Sequence, residues 1–212
     1  MATIPGGEIL SGILNVIAQS LLIPVMILLV IFIIFAVYEI GSILAEYTGR
    51  RQLDGQKKDI LLRNISSCVN SDQICQVINH SNLTNNDKEL LCSIAKLDKN
   101  LYSKKTRETV ARSMIEEQEF KISKSLELVD IVAKVGAACG LLGTIIPMGP
   151  GLAALGAGDM QTLTTSLTTA FNTTTAGLAA ANICYVVSKV RRRWYDEEIT
   201  ALYDIAEVII EV

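Results

Sequence analysis

Between Leu21 and Tyr38 the chain reads LLIPVMILLVIFIIFAVY, eighteen residues without a charge. About 20 apolar residues cross the hydrocarbon core of a bilayer, so this stretch reads as a transmembrane helix. Its apolar character extends back toward Ile9. A cleaved signal peptide needs a basic leader, and Met1 to Ser20 holds no Lys or Arg, so the helix is expected to stay in the membrane. The composition agrees: the chain is 50% hydrophobic and only 19% charged, with a mean hydropathy of +0.38. Soluble domains carry roughly a quarter charged residues.

Two more apolar runs follow. Leu128 to Leu155 is glycine-rich, with Asp130 and Lys134 at its start and Pro147 and Pro150 later. Those prolines either kink the run or terminate it, and termination is the simpler expectation. Leu163 to Ser188 is apolar but full of threonine. The short Gly156-Ala-Gly-Asp159 turn joins the two into a membrane hairpin. Of nineteen basic residues, fourteen lie between Glu46 and Glu127, and Lys189, Arg191, Arg192 and Arg193 follow the last run. Only Lys134 remains, and the positive-inside rule then places the long loop and the tail in the cytoplasm and the N-terminus outside. Arg50, Arg51 and Arg191–Arg193, each abutting a membrane end, agree.

The expected architecture is an all-α membrane protein of the cell membrane. Three transmembrane helices carry a helical cytoplasmic domain built from the long loop and the C-terminal tail. Residues 1–20 form an extracytoplasmic segment, 21–45 the first span and 46–127 the cytoplasmic loop. The second span is 128–155, the outside turn 156–162, the third span 163–188, and 189–212 an amphipathic C-terminal helix. Within the loop, Leu53–Val69 and Asp87–Leu97 have helical spacing, with Asn86 and Glu89 placed as a capping box. Leu101–Leu126 reads as one helix entering the second span. In the tail, Ile199, Leu202, Tyr203, Ala206, Ile209 and Ile210 form one stripe, expected to pack on a neighbouring helix because the opposite face is acidic. Glu39 and Glu46 read as interfacial charges, and Asp130 with Lys134 as an i,i+4 pair.

The first span is apolar all round and suits a lipid-facing position. The second contains the small-xxx-small run Gly136-Ala-Ala-Cys-Gly140, followed by Gly143, which lets helix backbones approach closely. The third carries Thr162, Thr164, Thr165, Ser166, Thr168, Thr169, Asn172, Thr173, Thr174, Thr175 and Asn182, too many polar groups to face lipid. Its polar arc centres on Thr165, Thr169, Asn172 and Thr173. The opposite side holds Leu163, Leu167, Ala170, Leu178 and Ala181, broken by Thr174 alone. Pattern by itself has Thr174 bonding back to the carbonyl of Ala170.

Three runs taken together, Gly140-Leu-Leu-Gly143-Thr144-Ile, Gly158-Asp-Met-Gln-Thr-Leu163 and Thr168-Thr-Ala-Phe-Asn-Thr-Thr174-Thr-Ala-Gly177-Leu-Ala, resemble the signature of the MotA/TolQ/ExbB proton-channel family. The resemblance covers Lys134 to Ser188. It implies a homopentamer around a dimer of a single-span ExbD/TolR/MotB-like partner, whose aspartate carries the ion. Ion passage then drives rotation or mechanical work. The resemblance places Thr144 and Thr174 as the pore threonines of the ion pathway. The polar arc of Thr169, Asn172 and Thr173 is then expected either to line a wet ion path between subunits or to lie at helix–helix contacts, and Gly136, Gly140, Gly143 and Gly177 to serve helix packing. One departure stands out: the family's glutamate five residues before the second threonine is Thr169 here. That leaves protons as the expected ion, with Na⁺ open.

Other chemistries find little footing. A pI near 5.3 and a net charge of −3 exclude a nucleic-acid footprint. His80 sits in a polar loop. Cys68, Cys75, Cys92, Cys139 and Cys184 are odd in number and irregularly spaced, giving neither a disulfide framework nor a metal motif. Gly149-x-Gly151-x-x-Ala154 follows a membrane run and no strand, so it is no dinucleotide fingerprint. Asn64, Asn79 and Asn82 lie in sequons that a cytoplasmic loop would not expose to glycosylation. No catalytic residue, cofactor or metal is expected, and the partners are membrane lipid and protein. The alternative is a non-conducting oligomeric scaffold of the same fold, favoured by Thr169.

Overall fold

A computed structural model describes residues 7–49, 55–68, 70–98 and 101–211. Among them are six helices and no strand: α1 (Gly7–Gly49), α2 (Gly55–Ser66), α3 (Ser71–His80), α4 (Asn85–Ala95), α5 (Lys104–Gly156) and α6 (Met160–Glu211). Arg50, Arg51 and residues 1–6 lie outside the described residues. The chain divides into two compact units, one of Met1–Leu44 with Glu127–Lys189, the other of Ala45–Leu126 with Val190–Val212. Among the described residues α1 and α5 are long and apolar enough to cross a membrane. In α6, threonines and two asparagines dilute the apolar residues, and it falls short of that mark.

In the first unit, α1 buries a single stripe, Val25, Leu29, Phe32 and Ala36, against Val129, Val132 and Cys139 of α5 and Ala180, Cys184 and Val187 of α6. Its other faces leave Ile27, Val30, Ile31, Ile34 and Val37 exposed. The described part of the helix runs from Gly7, so residues 7–20 of the expected extracytoplasmic segment are helical. Within it the Gln19 amide donates to Asn15 at 3.2 Å and the Ser20 hydroxyl to the Val16 carbonyl at 2.8 Å.

The expected stop at the prolines does not occur. α5 runs through Pro147 and Pro150 to Gly156. Each proline removes one intrahelical donor and crowds the carbonyl four residues back, yet the helix continues past both and ends where Gly158 adopts φ +79°. There the Asp159 N–H donates to the Ala154 carbonyl at 2.9 Å and the Gly158 N–H to that of Leu155 at 3.1 Å, a Schellman ending. Asp159 then starts α6, accepting the Thr162 N–H at 3.1 Å and the Thr162 hydroxyl. The hydroxyl bond, with the backbone one behind it, holds this carboxyl below its ordinary range. The Gly-Asp-x-x-Thr run is thus a helix stop followed directly by a helix start.

The second unit packs α2, α3, α4, the start of α5 and the end of α6 around Ile65, Ile78, Leu91, Ile115, Leu202 and Ile205. The tail stripe Ile199, Leu202, Ala206, Ile209 and Ile210 is buried in this core, with Tyr203 at its margin. The tail is continuous with α6, not a separate helix. Lys58 pairs with Asp204. The helix α3 is absent from the sequence expectation. The capping position also differs: α4 is preceded by Thr84, in extended geometry at φ −64° and ψ 151°, and Asn86 lies inside the first turn. Thr84-x-x-Asp87, not Asn86-x-x-Glu89, has the capping-box spacing, although the Thr84 side chain makes no cap bond.

Cys75 and Cys92 face one another across α3 and α4, each thiol near the other's carbonyl at 3.8 and 3.9 Å. Burial first, then the Cys75 thiol, pushes Cys92 up to about 11 from 9.0. The folded unit therefore favours the protonated thiol. That contribution is full below pH 9.0 and is lost as pH rises through about 11. Alkylation of Cys92 followed by mass spectrometry is expected to show its midpoint near 11 rather than 9.0.

Candidate functional site: a threonine pair at a glycine crossing

Within the first unit, glycines bring the backbones of α5 and α6 into contact. A Cβ at Gly140 would lie 3.2 Å from the Gly177 Cα and 3.4 Å from the carbonyl oxygens of Thr173 and Thr174. A Cβ at Gly177 would lie 2.6 Å from the Gly136 carbonyl oxygen and 2.6 Å from the Gly140 Cα. Gly136 faces Ala181, and Gly143 receives the side chain of Thr173. All four glycines expected to pack helices therefore line one crossing, with Gly143 one turn along from Gly140.

Thr144 and Thr174 stand beside that crossing, and their hydroxyls hydrogen-bond to each other. The Thr144 hydroxyl reaches the Gly140 carbonyl at 3.1 Å; that of Thr174 reaches the Ala170 carbonyl at 3.1 Å and the Gly140 carbonyl at 3.3 Å. The back-bond to Ala170 read from the sequence is present, but it is one of several. Two hydroxyls own two protons, while the carbonyls and the hydroxyls themselves offer more acceptor positions than that. Whichever arrangement holds, free lone pairs remain, and either proton can swing toward a carboxylate. Both side chains are half-buried, so the pair is open on one side.

The remaining residues assigned to the ion pathway sit apart. Thr173 is 7% exposed, turned toward Gly143, and donates to the Ala170 and Thr169 carbonyls at 2.9 and 3.0 Å. Within one chain it fills a packing contact. Thr169 is half-buried and Asn172 exposed, on other faces of α6. Thr164, Thr165, Thr168, Thr169 and Thr175 each donate to the carbonyl four residues back, at 2.8–3.0 Å. Their protons are spent inside the helix, so outwardly they offer only acceptor lone pairs. Such a face accommodates water or a cation and disfavours an anion.

Two carboxylates inside the long helices have surroundings that the sequence did not predict. Glu39, expected as an interfacial charge, is 6% exposed. The signal lies in the spacing, because Glu39 continues the Phe32–Ala36 buried stripe by three residues. Asp130, expected to pair with Lys134 along its own helix, accepts a hydrogen bond from Ser188 across on α6. Among the described residues no group of three His, Cys, Asp or Glu could hold a metal.

A comparison with family models matches residues 82–203 to the MotA/TolQ/ExbB proton channel family. The match takes in more than half of the chain, including Thr144, Thr174 and the four glycines. No curated protein and no solved structure matches the chain.

Proposed function

From its membership of the MotA/TolQ/ExbB proton channel family, to which this chain belongs, we propose that it is the channel subunit of an ion-driven motor complex. The hydroxyl pair of Thr144 and Thr174 is its contact with the moving ion. The family match and the two apolar helices make it a membrane protein. On our reading there are three spans, with α6 supplying the third; hydroxyls bonded to their own helix are tolerable in hydrocarbon. The N-terminus lies outside, and the loop and tail are cytoplasmic. Five copies enclose a dimer of a single-span ExbD/TolR/MotB-like partner.

The observation that carries the reading is the threonine pair at the glycine crossing. It sets two uncharged hydroxyls, with spare lone pairs, side by side on helices that hold no carboxylate near them. Such a pair can accept from a protonated partner aspartate, donate to an ionised one, or ligate Na⁺. The chain itself makes and breaks no covalent bond. Protons remain the favoured ion, and the acceptor-only face of α6 keeps Na⁺ open. The driving force is adequate at ~2.3 kcal/mol per charge per 100 mV.

Thr169 in place of the family glutamate favours a second reading, a scaffold that has kept the fold and lost conduction. Imaging of the purified protein with a co-encoded single-span protein tests both. Five subunits around a partner dimer, with Thr144 and Thr174 facing it, are expected. A different stoichiometry, or a pore filled by lipid although the partner is present, would leave the scaffold.

A further inference from the structure

The membrane reading directs attention to the first turns after the apolar runs of α1 and α6. Here Tyr47 stacks on Trp194, with ring centroids 6.2 Å apart and planes 27° from parallel. Tyr47 is 70% exposed. Beside it Arg191, 9% exposed, donates from Nε to Glu46 at 2.9 Å. Glu46 also accepts a hydrogen bond from Tyr195. Arg191 is therefore already matched by Glu46, and Arg192 also has a partner within the chain. The next two cations, Arg192 and Arg193, are exposed. Arg193 pairs with Glu197, and with side chains 80% and 53% exposed that pair is screened by water.

The thickness of this basic band is informative. The apolar end of the third run precedes it, and the acidic turn Asp196-Glu197-Glu198 follows it. A band one helical turn deep suits a layer of headgroups. It does not suit an extended polyanion, which the acidic turn would repel. Paired aromatic rings with an apolar body and polar edge belong at the same depth. Resting on the membrane placement above, we propose that Tyr47, Trp194, Arg192 and Arg193 form a headgroup collar that selects anionic glycerophospholipids, the guanidinium groups engaging lipid phosphates.

Trp194 is the only tryptophan in the chain, so its fluorescence reports on this collar alone. The full-length protein would be placed in vesicles of equal parts phosphatidylglycerol and phosphatidylcholine, with brominated acyl chains on one lipid or the other. Brominated phosphatidylglycerol is expected to quench Trp194 more strongly, with an association about fivefold tighter than for phosphatidylcholine. Arg192→Gln with Arg193→Gln should bring that ratio close to one, while Arg192→Lys with Arg193→Lys, a control for folding, should preserve most of it. Equal quenching by the two lipids in the unaltered protein would overturn the proposal, as would an undiminished preference in the glutamine variant. Quenching by neither lipid would sink the membrane placement of this turn itself.

Discussion

Thr174→Val is expected to reduce ion flux through the assembled complex by about tenfold to a hundredfold while leaving its subunit count unchanged. The magnitude is that of one hydrogen bond to a charged group, ~1.5–3 kcal/mol, with 1.4 kcal/mol per factor of ten. Valine keeps the branched shape and the preferred helical rotamer, so packing beside Gly140 is preserved. The Thr174 hydroxyl has one proton for the Ala170 and Gly140 carbonyls within its reach, and those also take part in the helix ladder, so removing the hydroxyl orphans no buried backbone group. Thr144 keeps its bond to the Gly140 carbonyl. The substitution thus separates the chemistry of the hydroxyl from the architecture. Thr174→Ser restores an oxygen at the same place and should recover most of the flux. Flux measured in vesicles containing the partner decides it: an unaltered rate in the valine variant, with assembly intact, would remove the pair from the ion path.

What could be read in the sequence, and what could not, divides along the range of the interactions. The apolar run of α1, the glycine turn at Gly158 and the tail stripe from Ile199 to Ile210 are local patterns, and they fold as local patterns should. The glycines of α5 were recognisable from their spacing, yet their partner Gly177 gained its role only by resemblance. The prolines misled because a missing donor reads as a break, whereas a helix of 53 residues absorbs two such losses. Thr173 was placed with Thr169 and Asn172 because all three share a polar arc. A helical wheel has no record of Gly143, whose empty side admits Thr173 and turns it inward. Glu39 was misjudged for the opposite reason: its charge outweighed its position on the buried stripe. The hydroxyl pair itself is a contact between residues 30 apart in sequence, and no local period encodes it.

Gly177→Ala should be the most damaging of the alanine substitutions at Gly136, Gly140 and Gly177, the glycines whose added Cβ would meet backbone atoms of the other helix. The new Cβ would fall 2.6 Å from the Gly136 carbonyl oxygen, 2.6 Å from the Gly140 Cα and 2.8 Å from the Gly140 nitrogen. All three are backbone atoms, so no rotamer change makes room, and the helices must move apart. Overpacking of this kind costs ~1–3 kcal/mol or more, and here the greater separation also weakens the close approach that the crossing depends on. Gly140→Ala should cost less, because its nearest atom is at 3.2 Å, and Gly136→Ala least, with nothing nearer than 3.4 Å. Gly12→Ala in α1 is the control. Nothing lies within 4 Å of its Cβ position, so alanine's better helix propensity should leave stability equal or up to ~1 kcal/mol higher. Thermal unfolding in detergent is expected to rank the variants in that order. Parting the helices at Gly177 also parts Thr144 from Thr174, so flux should fall with stability in this variant, in contrast to the valine substitution, where flux falls alone. A Gly177→Ala protein as stable as the parent would mean that α5 and α6 do not cross in backbone contact, and the threonine pair would lose its basis with them.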